Sequence, residues 1–169
     1  MRFLALLSAF SVAILAGCAS QAPSPKATTM QYSKSVQTSV PIEKSYFLTL
    51  LWLEKIRGVA SIKSISDDAS ADVLSFHAQP ELDNHNSVSR FIDYRATIHV
   101  DGKEIRYDFN IDQAFSLDYN FGEQRGILMG EEEPAYRSLA VTQSIYDAFV
   151  AKMNGLIESH REYLIAFGP

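Results

Sequence analysis

The side chains best placed to do chemistry fall in one alternating stretch. Ile92, Tyr94, Ala96, Ile98 and Val100 interleave with Asp93, Arg95, Thr97 and His99. After Asp101-Gly102, residues Ile105, Tyr107, Phe109 and Ile111 interleave with Arg106, Asp108, Asn110 and Asp112. A period of two sends one set to a core and the other to a solvent face. Arg95, His99, Arg106 and Asp108 therefore share a face able to contact a ligand, although a solvated sheet face reads the same way. Their alternating charge does not suit a simply acidic or basic ligand. Paired carboxylates such as Asp108 and Asp112 could instead serve a hydrolase, if two of them converge in a cleft with displaced pKa values.

Other chemistries find less support. The four histidines show no ligand spacing, and Asp83 with His85 makes too few ligands for a metal. We expect no metal and no cofactor. Gly122, Gly126 and Gly130 lack the Lys-Ser/Thr partner of a phosphate loop and read as turns. No nucleophile elbow, His-Glu-x-x-His or calcium loop occurs. The net charge is -5 and no basic run appears, so nucleic acid is not an expected partner. Cys18 is the single cysteine, which excludes any disulfide within the chain.

These polar residues need a frame, and the periodicity supplies one. Pro41 opens a helix on which Ile42, Tyr46, Leu50 and Leu53 recur at helical spacing, up to Gly58. Phe47, Leu48, Leu51 and Trp52 widen its apolar stripe, which fits burial on two sides or a partner surface including Trp52. Val59 to Ser66 and Ala71 to Ala78 read as strands around an Asp67-Asp68 turn, and Gln79 to Ser89 as a loop. Asp101-Gly102 as the two turn residues sets Ile98 opposite Ile105, Arg95 opposite Asp108 and His99 opposite Glu104. Phe115, Leu117, Tyr119 and Phe121 continue the period of two, as a fifth strand or an extension of the fourth. Glu131 to Pro134 suits a helix start, and Val141, Ile145, Phe149, Met153 and Leu156 stripe a long final helix. The fold class is α+β: an antiparallel sheet of four to five strands, with an N-terminal and a C-terminal helix on one face.

The N-terminus supplies an address. Arg2 precedes the apolar run Phe3 to Leu15, which is too short to span a bilayer. Leu15-Ala16-Gly17-Cys18 resembles a bacterial lipobox. That resemblance implies a lipoprotein signal peptide over residues 1–17, acyl chains on Cys18, and a membrane partner through that lipid. Ala19, where an Asp would favour the inner membrane, implies the outer membrane, facing the periplasm. Residues 18–40 read as lipidated Cys and flexible tether with a coil dimension of about 25 Å, and residues 41–169 as one domain.

From Tyr46 to about Ile111 the order of features is similar to an uncharacterised bacterial domain family with a fold like the TATA-binding protein. The residues that carry the likeness are Ile62 to Ser75 with Asp67-Asp68 and Ser70, Ile98 to Lys103 with Asp101-Gly102, and Arg106-Tyr107-Asp108-Phe109. The chain departs from it in lacking a Gly after Asp67-Asp68. This resemblance implies a fold and no activity. The functional expectation is a non-enzymatic domain that binds a protein or polymer of the cell envelope. An envelope hydrolase and a small-ligand-binding periplasmic domain are the alternatives.

Overall fold

Two long strands, β5 (Val88–Asp101) and β6 (Glu104–Asp118), form an antiparallel hairpin that is the spine of the molecule. A computed structural model describes residues 30–85, 88–118 and 135–168. Around the spine lie β1 (Gln31–Gln37), α1 (Ile42–Ile56), β2 (Ile62–Asp68), β3 (Val73–Ala78), β4 (Glu81–His85), β7 (Ala135–Leu139) and α2 (Gln143–Phe167). Each long strand changes neighbour halfway along. Near the hairpin turn the sheet order is β1-β6-β5-β3-β2; at the other end β4 pairs with β5 and β7 pairs with β6. All seven strands pair antiparallel.

Among the described residues seven strands replace the four to five expected, and the additions have plain causes. β1 lies within the segment read as tether, because its sequence, Gln-Tyr-Ser-Lys-Ser-Val-Gln, is polar on an edge strand. β4 occupies the expected loop after Gln79, and β7 stands where the final helix was expected to begin. Phe115 and Leu117 extend the fourth expected strand.

The hairpin turn also sits one residue beyond its expected centre, which shifts every cross-strand pairing by two. Gly102 and Lys103 are the loop residues, with Asp101 paired to Glu104. Gly102 takes φ +51° at the first loop position, where a type II′ turn needs a positive φ. The pairing shift of two keeps every side chain on its expected face but changes its partner. Ile98 lies opposite Tyr107, His99 opposite Arg106, and Arg95 opposite Asn110.

Farther along, one residue changes the face itself. Tyr94 pairs with Ile111 and Asp93 with Gln113, leaving Asp112 as the extra residue of a β-bulge. Ile105, Tyr107, Phe109 and Ile111 face the core, but beyond the bulge Ala114 does so and Phe115 turns outward. The expected run of one apolar face through Phe115 and Leu117 is therefore broken at Asp112.

Both helices cover the same face of the sheet. Phe149 of α2 packs edge-on against Tyr94 and Phe109, with centroids 5.3 and 6.2 Å away. Ile145, Met153, Ile157, His160 and Leu164 extend this stripe at helical spacing. On α1 the buried stripe is Ser45, Leu48, Thr49, Trp52 and Leu53, rotated from the expected one, so Phe47 and Leu51 stay exposed. The rotation is possible because the two buried hydroxyls bond within their own segment. Ser45 Oγ donates to the Val40 carbonyl at 3.1 Å, and Thr49 Oγ1 to the Ser45 carbonyl at 2.7 Å.

Candidate functional site

With both helices on one side, the other sheet face stays open, and alternation along β5 and β6 decides what it carries. Strand register aligns its side chains in rows across five strands. One row runs Ser66, Ser75, Thr97, Asp108 and Ser33, and the next Ser64, His77, Arg95, Asn110 and Gln31. Between them lies a depression of about 420 Å³, lined by Ser64, Ser75, His77, Arg95, Thr97 and Asp112 among others.

The charged groups of this face are paired with one another. Arg95 binds Asp112 through both ends of its fork, Nε to Oδ2 at 2.8 Å and Nη2 to Oδ1 at 2.7 Å. Its partner is thus the bulged residue rather than the expected Asp108. Asp112 holds the Arg95 guanidinium more firmly in its charged form, by hydrogen bond and by charge. Asp108 sits at the centre of a second group. It accepts from Ser33 Oγ at 2.7 Å and from Arg106 Nε at 3.0 Å, with His99 Nε2 at 3.4 Å. Partial burial pushes the Asp108 carboxyl up, but the bonds from Ser33 and Arg106 and the charges of Arg106 and His99 outweigh it, so its pKa lies below the usual range. His99 therefore meets Asp108 and not the expected Glu104. A third pair, His77 with Asp93, closes the depression on the far side.

At that side the face becomes aromatic. Phe91 stacks on Phe115 at 5.3 Å, and Phe115 on Tyr136 at 4.9 Å. Phe115 is buried within this stack, while Tyr136 is 55% exposed. A polar chain joins the stack to the depression. The Tyr136 hydroxyl donates to Gln113 Oε1 at 3.5 Å, Gln113 Nε2 donates to Asp93 Oδ2 at 3.4 Å, and Asp93 meets His77. Sequence reasoning missed Tyr136, Phe115 and Gln113 as members of the face that carries Arg95. The bulge that turns Phe115 outward has no mark in the alternation, and Tyr136 comes from a strand that resembles a helix approach.

The residues expected to form a binding surface divide accordingly. Arg95, His99, Arg106 and Asp108 share the open face. Trp52 does not belong to any surface: it is 1% exposed, stacked on His160 at 4.4 Å on the opposite side of the sheet. That corrects the expectation of a partner surface that includes Trp52. Its breadth on the helix reflects burial between sheet and α2, leaving only Phe47 and Leu51 of that stripe exposed. Cys18, Tyr119, Phe121, the three loop glycines and Glu131 to Pro134 lie outside the described residues.

On this face Asp93, Asp108 and Asp112 each meet a basic or imidazole side chain. Asp83 is ion-paired with Arg90, Nε to Oδ1 at 2.7 Å. Among the described residues no group of three His, Cys, Asp or Glu is placed to hold a metal ion. No helix among the described residues is long and apolar enough to cross a membrane. A smaller recess of about 260 Å³ opens between the end of α1 and α2, beside Ile56, Met153 and Leu156.

No family model matches the chain, and no curated protein matches it by sequence. Among solved structures it is similar to a TBP-like protein from Parabacteroides distasonis, with a TM-score of 0.55 at 9% identity over 80% of this chain and 92% of that one. A DUF4468 family protein from Bacteroides ovatus aligns at a TM-score of 0.44 and 8% identity, over 54% of this chain and 57% of that one. At such identities the first likeness concerns the fold alone. It supports the resemblance to uncharacterised bacterial domains with a fold like the TATA-binding protein.

Proposed function

We propose that the protein is a lipid-anchored domain of the cell envelope, held at the outer membrane through Cys18, that binds another envelope component without catalysis. The observation that carries the binding part is the open sheet face, whose charged groups are already paired and held by the register of five strands. Such a face is preorganised, so contact costs little side-chain ordering. The same pairing speaks against the carboxylate hydrolase, since a general acid needs a raised pKa and that of Asp108 is lowered. The anchor reading stands on Leu15-Ala16-Gly17-Cys18.

Two measurements test this. Replacing Cys18→Ala should move the protein from the membrane to the soluble fraction; persistence in the membrane defeats the anchor. A photo-crosslinking residue at Thr97, in the native host, should capture an envelope component, and Arg95→Ala should reduce that yield several-fold with the thermal midpoint unchanged. Equal yield with Arg95→Ala defeats the face as the contact surface.

A further inference from the structure

We infer that the open face is a glycan-binding site, suited to an uncharged or N-acetylated oligosaccharide lying along β5 from Tyr136 and Phe91 towards His99. This inference rests on the reading that the open face makes the contact, and it names what is contacted. Three independent features point to a sugar chain.

The first is that the charges are engaged with one another. Asp112 holds Arg95, Asp108 is shared by Arg106 and His99, and His77 lies against Asp93. An anionic or cationic ligand would have to break these pairs, whereas a neutral ligand would not. The second is the form of the polar groups. A guanidinium–carboxylate fork offers donors and acceptors side by side, as two neighbouring hydroxyls of a sugar ring require: one donates to Asp112 while the next accepts from Arg95. Asn110 and Gln113 add both kinds of group along the same line. The third is the aromatic platform. Phe91, Phe115 and Tyr136 are stacked into one unit, and the exposed Tyr136 offers an apolar ring beside a polar rim. A pyranose has the matching form, an apolar C–H face bounded by equatorial hydroxyls. The strip from Phe91 to His99 runs about 27 Å at the usual rise per strand residue, long enough for several sugar units in a row.

The test uses the full lipidated chain in detergent micelles, labelled for NMR, with chitopentaose, cellopentaose and maltoheptaose as probes. At least one of the three should shift the amide signals of His77, Arg95, Asn110, Gln113 and Tyr136 while leaving α1 and α2 in place. Tyr136→Ala and Asp112→Asn should each weaken that probe at least tenfold with the thermal midpoint unchanged. The inference is overturned if none of the probes shifts those residues, if the shifts fall on the recess beside Met153, or if both variants bind as tightly as the native chain. Crosslinking from Thr97 separates this failure from that of the wider proposal. Capture of a protein alone, with no sugar response, sinks the glycan site and leaves the face as a contact surface; capture of nothing removes both.

Discussion

His160 is the residue in which burial and titration conflict most. Its ring is fully buried, stacked on Trp52 and edge-on to Tyr107 at 5.9 Å. Nδ1 lies 2.5 Å from the Tyr107 hydroxyl, and Nε2 has no hydrogen-bond partner. With that hydroxyl donating to Nδ1, the neutral ring carries its proton on Nε2. A second proton would have to displace the Tyr107 bond inside an apolar core, so burial pushes the pKa from 6.5 down to about 3. Unfolded, the same imidazole gains its proton below 6.5. Between these values the unfolded chain binds one more proton, so stability is full above pH 6.5 and falls by up to about 1.4 kcal/mol per pH unit below it. Urea midpoints between pH 7.5 and 4.5 should show this fall, and the His160 ring signals should keep their neutral-form shifts throughout. A titration of that ring near pH 6 would contradict it. Trp52 belongs to the same cluster, with Nε1 donating to Ser159 Oγ at 3.4 Å. Truncation by Trp52→Ala leaves a large void and should cost about 3–5 kcal/mol, read by circular dichroism in urea.

At the scale of elements, α2 carries one position whose residue works against its conformation. Gly155 sits inside a continuous helix, where glycine weakens the backbone. Packing explains the continuity: Met153 and Ile157 are both buried, so contacts on either side hold the turn that glycine weakens. A Cβ at Gly155 would meet nothing within 4 Å. Gly155→Ala should therefore raise stability by about 0.5–1 kcal/mol, measurable as a higher urea midpoint at unchanged m-value. The elements also show how far alternation can be read. It placed β5 and the first half of β6 correctly by face, since a pairing shifted by two residues preserves parity. It could not reveal the bulge at Asp112, because Phe115 and Leu117 are as apolar outside as they would be inside. The site was legible to the same extent. Arg95, His99, Arg106 and Asp108 were placed on one face, but their partners depend on the register and the bulge, which side-chain type alone does not fix.

For the whole molecule, the decisive correction concerns where the domain begins. A start at Pro41 follows from composition, because residues before it are polar and include no apolar period. Yet β1 closes the outer edge of β6 from Gln31 opposite Asn110 to Gln37 opposite Glu104. Tyr32 stacks on Phe109 at 5.9 Å, and its hydroxyl donates to Asn154 Oδ1 at 2.8 Å, tying the strand to α2. Lys34 Nζ reaches the same oxygen at 2.6 Å, and the Thr38 amide donates to the Lys103 carbonyl at 2.8 Å. Polarity misleads here because an edge strand with one face open needs few apolar side chains, and its strength lies in backbone pairing. For the proposed anchor at Cys18 this shortens the reach: the stretch from Cys18 to Met30 has a contour length of at most about 40 Å. Two truncations separate the boundaries. A chain starting at Met30 should unfold at the same temperature as the full chain. One starting at Pro41 should unfold several degrees lower and associate through the bared edge of β6. Light scattering and thermal melts would read both effects, and equal stability of the two chains would show that β1 is dispensable.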